Sequence, residues 1–108
     1  MTVNSFHGTG RLTRDAEYSQ TKSGMAMSKF RLAINSYRKQ EEETTFVNVL
    51  CFGKMAENLN DRLTKGRIVA VHGPLKIEEY EDSENNRRTS VSIFANDISL
   101  GPDPNRAE

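Results

Sequence analysis

The stretch TTFVNVLCFGKMAENLNDRLTKG (residues 44–66) joins two periodicities end to end. Its first half alternates, with Phe46, Asn48, Leu50 and Phe52 on one face and Val47, Val49 and Cys51 on the other. Side chains at i and i+2 share a face of a strand, so this is a strand pattern. The Val47–Val49–Cys51 face is small and apolar, as a core requires. The opposite face should meet water, yet it carries two phenylalanines. From the residues alone, Phe46 and Phe52 are either core or interface side chains or rings waiting for a ligand.

The second half turns helical. Met55 or Ala56, Leu59 and Leu63 fall on one stripe at i, i+4 spacing. Gly53 supplies an N-terminal boundary and Gly66 a left-handed stop, with Lys65 expected near the negative end of the helix dipole.

Outward from this stretch the chain reads as strands. Residues 26–35 alternate Ala26, Ser28, Phe30, Leu32 and Ile34 against Met27, Lys29, Arg31, Ala33 and Asn35. That pattern predicts a half-buried strand with a lysine and an arginine on its exposed face. RIVAVHGPLKIEEYE predicts a further strand with a bend at Gly73–Pro74. RRTSVSIFANDISL predicts the last, with Thr89, Val91, Ile93 and Ala95 on one parity. A weaker first strand spans residues 4–14, where FHGTG has two glycines and little aliphatic content. Turns are expected at TKSG, at RKQEEE and at EDSENN. Three strands, one short helix and two strands is the order of the OB fold. The expected architecture is therefore all-β, a five-stranded OB-fold barrel with one short helix between strands 3 and 4. Residues 1–100 form the domain, and 101–108 read as a disordered tail or the start of a linker.

Composition narrows the function. The 108 residues suit one domain, 35% of them are hydrophobic and 28% charged. No apolar run approaches the ~20 residues of a membrane span. MTVNSFHGTG lacks a basic start followed by an apolar stretch, so no secretory signal is visible and a cytoplasmic location is expected. The single cysteine, Cys51, lies on the inward parity and reads as a small core residue. Net charge is zero, but residues 1–40 hold seven basic side chains against two acidic. That excess forms either a local anion-binding surface or an ordinary solvated one.

Across residues 2–100 the chain resembles the bacterial single-stranded-DNA-binding proteins of the tetrameric type. The carrying motifs are GRLTRDAE, SGMAMSKFRLAIN, FVNVLCFGKMAENL, LTKGRIVAVHGPLK and YEDSENNRRTSVSIFA. Their order, spacing and coverage make the match, since each alone is short. The resemblance implies that aromatic residues on the outer surface stack with bases, at the positions of Tyr37, Phe46, Phe52 and Tyr80. Every base has a flat π-face, so stacking holds a single strand without reading its sequence. Lys29 and Arg31 are the leading phosphate-binding residues, with Arg11, Arg14, Lys54, Lys65, Lys76 and Arg88 as further candidates. The implied partners are single-stranded DNA and three further copies of the chain, with replication and repair proteins where a full-length tail exists; no membrane partner is expected.

The chain departs from that pattern in four places. It has no tryptophan, Glu78 and Glu79 precede Tyr80 where relatives tend to be basic, its first strand is poor in aliphatics, and the acidic tip is missing. Catalysis has no support: His7 and His72 read as isolated, Glu41–Glu43 as a solvated hairpin loop, and no cofactor or metal spacing is present. Two rival readings use the same fold. One is a short, tailless primosomal accessory protein resembling primosomal replication protein N, acting through protein contacts. The other is an OB-fold nuclease, which would need paired carboxylates that the exposed parities of residues 26–35 and 44–52 do not offer.

Overall fold

The computed structural model describes residues 2–102. The expected tail therefore lies mostly outside the described residues. Its first residue, Gly101, donates its N–H to the Ile68 carbonyl at 2.7 Å.

Eight strands and one helix follow in order: β1 (Phe6–Leu12), β2 (Glu17–Gln20), β3 (Ala26–Arg38), β4 (Glu41–Phe52), α1 (Lys54–Leu59), β5 (Ile68–Gly73), β6 (Leu75–Glu81), β7 (Arg87–Phe94) and β8 (Asp97–Leu100). Five expected strands become eight through two breaks and one addition. The fourth is broken into β5 and β6 at the Gly73–Pro74 bend, and the fifth into β7 and β8 at Ala95–Asn96. β2 is an addition: EYSQ is exposed at all four positions and pairs with β3 from Glu17↔Lys29 to Gln20↔Ala26. With no apolar alternation it gave no strand signal.

The sheet order is β6-β7-β4-β3-β1-β5-β8, with β2 beside β3. This ladder is open, as in the partly open barrel of the expected OB fold. β5 and β6 are halves of one bent strand, yet they pair at opposite ends of the order, as do β7 and β8. The sheet must therefore curl round until the bends meet. Phe94 N–H bonds the Pro74 carbonyl at 3.0 Å and Asn96 N–H the His72 carbonyl at 2.8 Å, tying the bends together. Glycine is required there, because a Cβ on Gly73 would overlap the Phe94 carbonyl oxygen.

The core lies inside the curl. Leu12, Phe30, Leu32, Val49, Leu63, Val69, Val71 and Ile93 form one buried cluster, and Ala26, Cys51 and Ala56 a second under the helix. Burying each large apolar side chain contributes ~1.5–3 kcal/mol. The expected alternation holds on β3, where Ala26, Ser28, Phe30 and Leu32 are buried while Lys29 and Arg31 are exposed. It holds on β4 for Val49 and Cys51. On β7 only Ile93 is buried; Thr89 and Val91 are exposed because the β6–β7 hairpin projects past the core.

Three local expectations need correction. Glu41–Glu43 belong to β4, paired with Arg38, Tyr37 and Ser36, and are not a loop. The turn is the two-residue Lys39–Gln40, both in the left-handed region at φ 52° and 69°, the hairpin geometry that matches strand twist. The helix stops at Leu59, so Lys65 sits beyond its last turn, which has no basic residue. Gly53 bounds the helix as read, at φ 69°, but Gly66, although at φ 84°, is not its stop: the helix is capped at Asn60 in the right-handed region and Gly66 lies in the turn before β5. His7 and His72 are not isolated: they are register partners across β1 and β5, with ring centroids 4.1 Å apart. Ser5 Oγ lies 3.2 Å from His7 Nε2 and 3.0 Å from His72 Nε2.

Candidate nucleic-acid interface

Strand register builds the site. In a pleated sheet paired residues point the same way, so each row of partners across the strands lies on one face. The row Arg31↔Asn48↔Ser92↔Lys76 crosses β3, β4, β7 and β6. It sets a cation at each end, ~14 Å apart at the usual strand spacing. The next row toward the helix is Lys29↔Leu50↔Phe94, and beyond it Met27↔Phe52. On the other side lies Arg11↔Ala33↔Phe46. The parity that buries Val49 and Ile93 turns all of these outward.

The outer face therefore joins Phe46, Phe52, Lys29, Arg31, Arg11 and Lys76 from four strands, β1, β3, β4 and β6. Phe46 is 51% exposed and Tyr80 52%. The Arg31 guanidinium lies 4.5 Å from the centroid of the Phe46 ring. Phe52 is half-buried, and its ring centroid is 5.7 Å from that of Phe94, the planes at 46°. Lys76 Nζ stands 5.0 Å from the Phe94 centroid. Phe94 is absent from the sequence-based candidates. The signal was available: in RRTSVSIFA it takes the outward parity opposite Ile93, the same pattern that singled out Phe46 and Phe52.

A cleft of about 190 Å³ opens beside this face. Arg14, Lys29, Arg31 and Asn48 line it, together with Asp15 and Glu17. Lys65 is drawn toward it, since its backbone N–H donates to Asp15 Oδ1 at 2.8 Å. Three candidate groups stand apart. Tyr37, 76% exposed, sits on the projecting end of the β3–β4 hairpin opposite Glu42. Tyr80 and Arg88 are register partners far out on the β6–β7 hairpin. Lys54 begins the helix two residues after Phe52.

The cations differ in what already holds them. On the β6–β7 hairpin Lys76 pairs with Glu78 at 3.3 Å, Arg87 with Glu79 at 3.5 Å and Arg88 with Asp82 at 3.0 Å. Among the described residues, Arg11, Arg14, Lys29 and Arg31 have no carboxylate partner. Cations outside any ion pair thus collect on β1, β3 and the segment after β1, with Asp15 and Glu17 as their nearest acidic neighbours in the cleft, while the hairpin pairs its own. The Arg88 side chain, with backbone N–H groups of Asn86 and Glu84, holds the Asp82 carboxyl below its usual 3.8. Cys51 behaves as a core residue: burial pushes its thiol up, against the smaller pull of a backbone hydrogen bond from Ser28. No group of three or more metal-ligating side chains occurs among the described residues. Nor is any described helix long and apolar enough to cross a membrane.

The curled sheet, its parallel β4–β7 pairing and the helix between β4 and β5 define an OB fold, the partly open type. Residues 3–100 match the model of the single-strand binding protein family. The chain belongs to that family. It is 40% identical over 103 residues to the single-stranded DNA-binding protein of Borreliella burgdorferi, covering 91% of this chain and 69% of that one. It is 39% identical over 92 residues to single-stranded DNA-binding protein 1 of Staphylococcus aureus, covering 82% of this chain and 59% of the relative.

Proposed function

We propose that this chain binds single-stranded DNA without reading its sequence, by stacking bases on outer-face rings and neutralising phosphates with the cations around them. The observation that carries the reading is the outward pair Arg31 and Phe46, a ring under a cation on the exposed side of β3 and β4. A solvent-facing ring gains nothing from water, whereas a base laid on it contributes ~1–3 kcal/mol. Phe46, Phe52, Tyr37 and Tyr80 are the stacking positions in this reading. Lys29, Arg31, Arg14 and Arg11, none of them held in an ion pair, supply the charge for phosphates. Lys65 and Lys54 extend it, and Lys76 and Arg88 contribute after leaving their carboxylates. The protein works as a binder with no catalytic step, inside the cell, in replication, recombination and repair.

Assembly as a homotetramer belongs to the same proposal. Along β1, β5 pairs Phe6 through Arg11, whereas β3 pairs only Arg11 and Leu12. A second edge of β1 is left for another copy. Fluorescence anisotropy with oligo-dT of graded length tests the binding, and sedimentation tests the assembly. Affinity should rise with length until one tetramer is saturated, at a mass near four chains. No binding to any length would contradict the proposal.

A further inference from the structure

We infer that Phe94 is a fifth stacking position, and that Lys76 is the cation for the phosphate of the nucleotide stacked there. This rests on the single-strand-binding reading and adds a subsite to it.

The Phe94 backbone is fixed from two sides. Its N–H bonds the Pro74 carbonyl at 3.0 Å, and its carbonyl is pressed against Gly73, where no side chain would fit. Its register partner Leu50 and the fully buried Ile93 before it commit the ring to the outer face. The ring is therefore pre-positioned, and little conformational freedom remains to be lost when a base settles on it. With Phe52 at 5.7 Å it makes a two-ring surface larger than either phenylalanine alone.

Lys76 completes the subsite. Its ammonium is 5.0 Å from the Phe94 centroid and 3.3 Å from Glu78 Oε1, with both side chains more than half exposed. An exposed pair of this kind is weak, ~0–1 kcal/mol, so a phosphate can take the ammonium from Glu78. Base and phosphate of one nucleotide are close neighbours, which matches a ring and a cation this near each other. Glu78 is then left as an unpaired carboxylate facing the strand, a cost that a neutral residue would remove.

The chain contains no tryptophan, so Phe94→Trp creates a single reporter at this position. Saturating oligo-dT should quench its emission in step with binding followed by a labelled oligonucleotide. Phe94→Leu keeps an apolar side chain without a π-face and should weaken binding about 5- to 140-fold at one salt concentration. Glu78→Gln should tighten binding, and should do so by less once Lys76→Ala is also present, because no ion pair then has to be broken; an equal gain in both backgrounds would remove Lys76 from the subsite. Oligo-dT bound by Phe94→Trp with unchanged emission, or by Phe94→Leu with the parent affinity, overturns the subsite while leaving the wider reading in place. A parent chain that fails to bind oligo-dT removes both.

Discussion

The Arg31 guanidinium sits 4.5 Å above the Phe46 ring, joining the two chemistries of the outer face in one pair. The pair spans a diagonal of the β3–β4 ladder: Arg31 faces Asn48 and Phe46 faces Ala33. Because Ala33 is small, the space above it is free for the longer arginine to lean across. A cation over a ring at an exposed site stabilises by ~0.5–1 kcal/mol. That holds the guanidinium near the surface where phosphates must pass.

Arg31→Ala should weaken binding more at low salt than at high salt. If Arg31 neutralises one phosphate of a single strand, its removal should flatten the log K against log salt line by up to ~0.7. Arg31→Lys should keep most of that slope while giving up the planar stacking on Phe46. Titrations at several salt concentrations separate the two variants. An unchanged slope in Arg31→Ala would remove the residue from the phosphate path.

Phe46→Ala should act in the opposite way. It should weaken oligo-dT binding by ~1–3 kcal/mol at every salt concentration. The ring is half exposed, so the melting temperature should stay close to the parent's. A large fall in melting temperature with unchanged affinity would make Phe46 a structural residue.

Much of this face could be read from β3 and β4 because they alternate cleanly for their core-facing half. Lys29, Arg31, Phe46 and Phe52 follow from parity alone, and the buried set Phe30, Leu32, Val49 and Cys51 follows with them. What escaped had physical reasons. β2 is a wholly exposed edge strand, so hydrophobic period is silent about it. The Lys39–Gln40 turn places two non-glycine residues at positive φ, and its charged neighbours in β4 therefore read as loop. β1 looked poor in core-forming residues because its glycines accept neighbouring bulk: a Cβ on Gly8 would collide with the Phe6 ring. The carboxylate partners of Lys76 and Arg88 depend on side-chain reach across a twisted hairpin, which residue order does not encode.

Asp82 should make the β6–β7 turn sensitive to acid. Its folded pKa is lowered, chiefly by Arg88, so its stabilising effect is full above the unfolded value of 3.8 and is lost as pH falls through the lower folded value. Protection of the Glu84 and Asn86 amides, which donate to Asp82 Oδ1, should therefore drop in that acid range. In Asp82→Asn that step should vanish. Hydrogen exchange followed by NMR reads it, and a parent turn equally protected on both sides of the range would contradict it.

Ser28 offers a stability test away from the DNA face. Its hydroxyl is fully buried beside Cys51 and has no hydrogen-bond partner among the described residues. An unsatisfied buried hydroxyl costs ~1–3 kcal/mol. Ser28→Ala should raise the urea midpoint and leave oligo-dT affinity unchanged. A lower midpoint would mean that the hydroxyl has a partner worth more than its burial costs.

The central claim, that bases are held by their exposed faces, is tested most directly by competition between single-stranded and duplex DNA of one sequence. A labelled oligonucleotide is bound at fixed salt and displaced by its unlabelled single strand or by the matching duplex. Duplex bases hide their faces within the stack, so the single strand should compete far more strongly. The same result should hold when the sequence is scrambled. Equal displacement by both forms would show that phosphate charge alone drives binding, and would contradict the account.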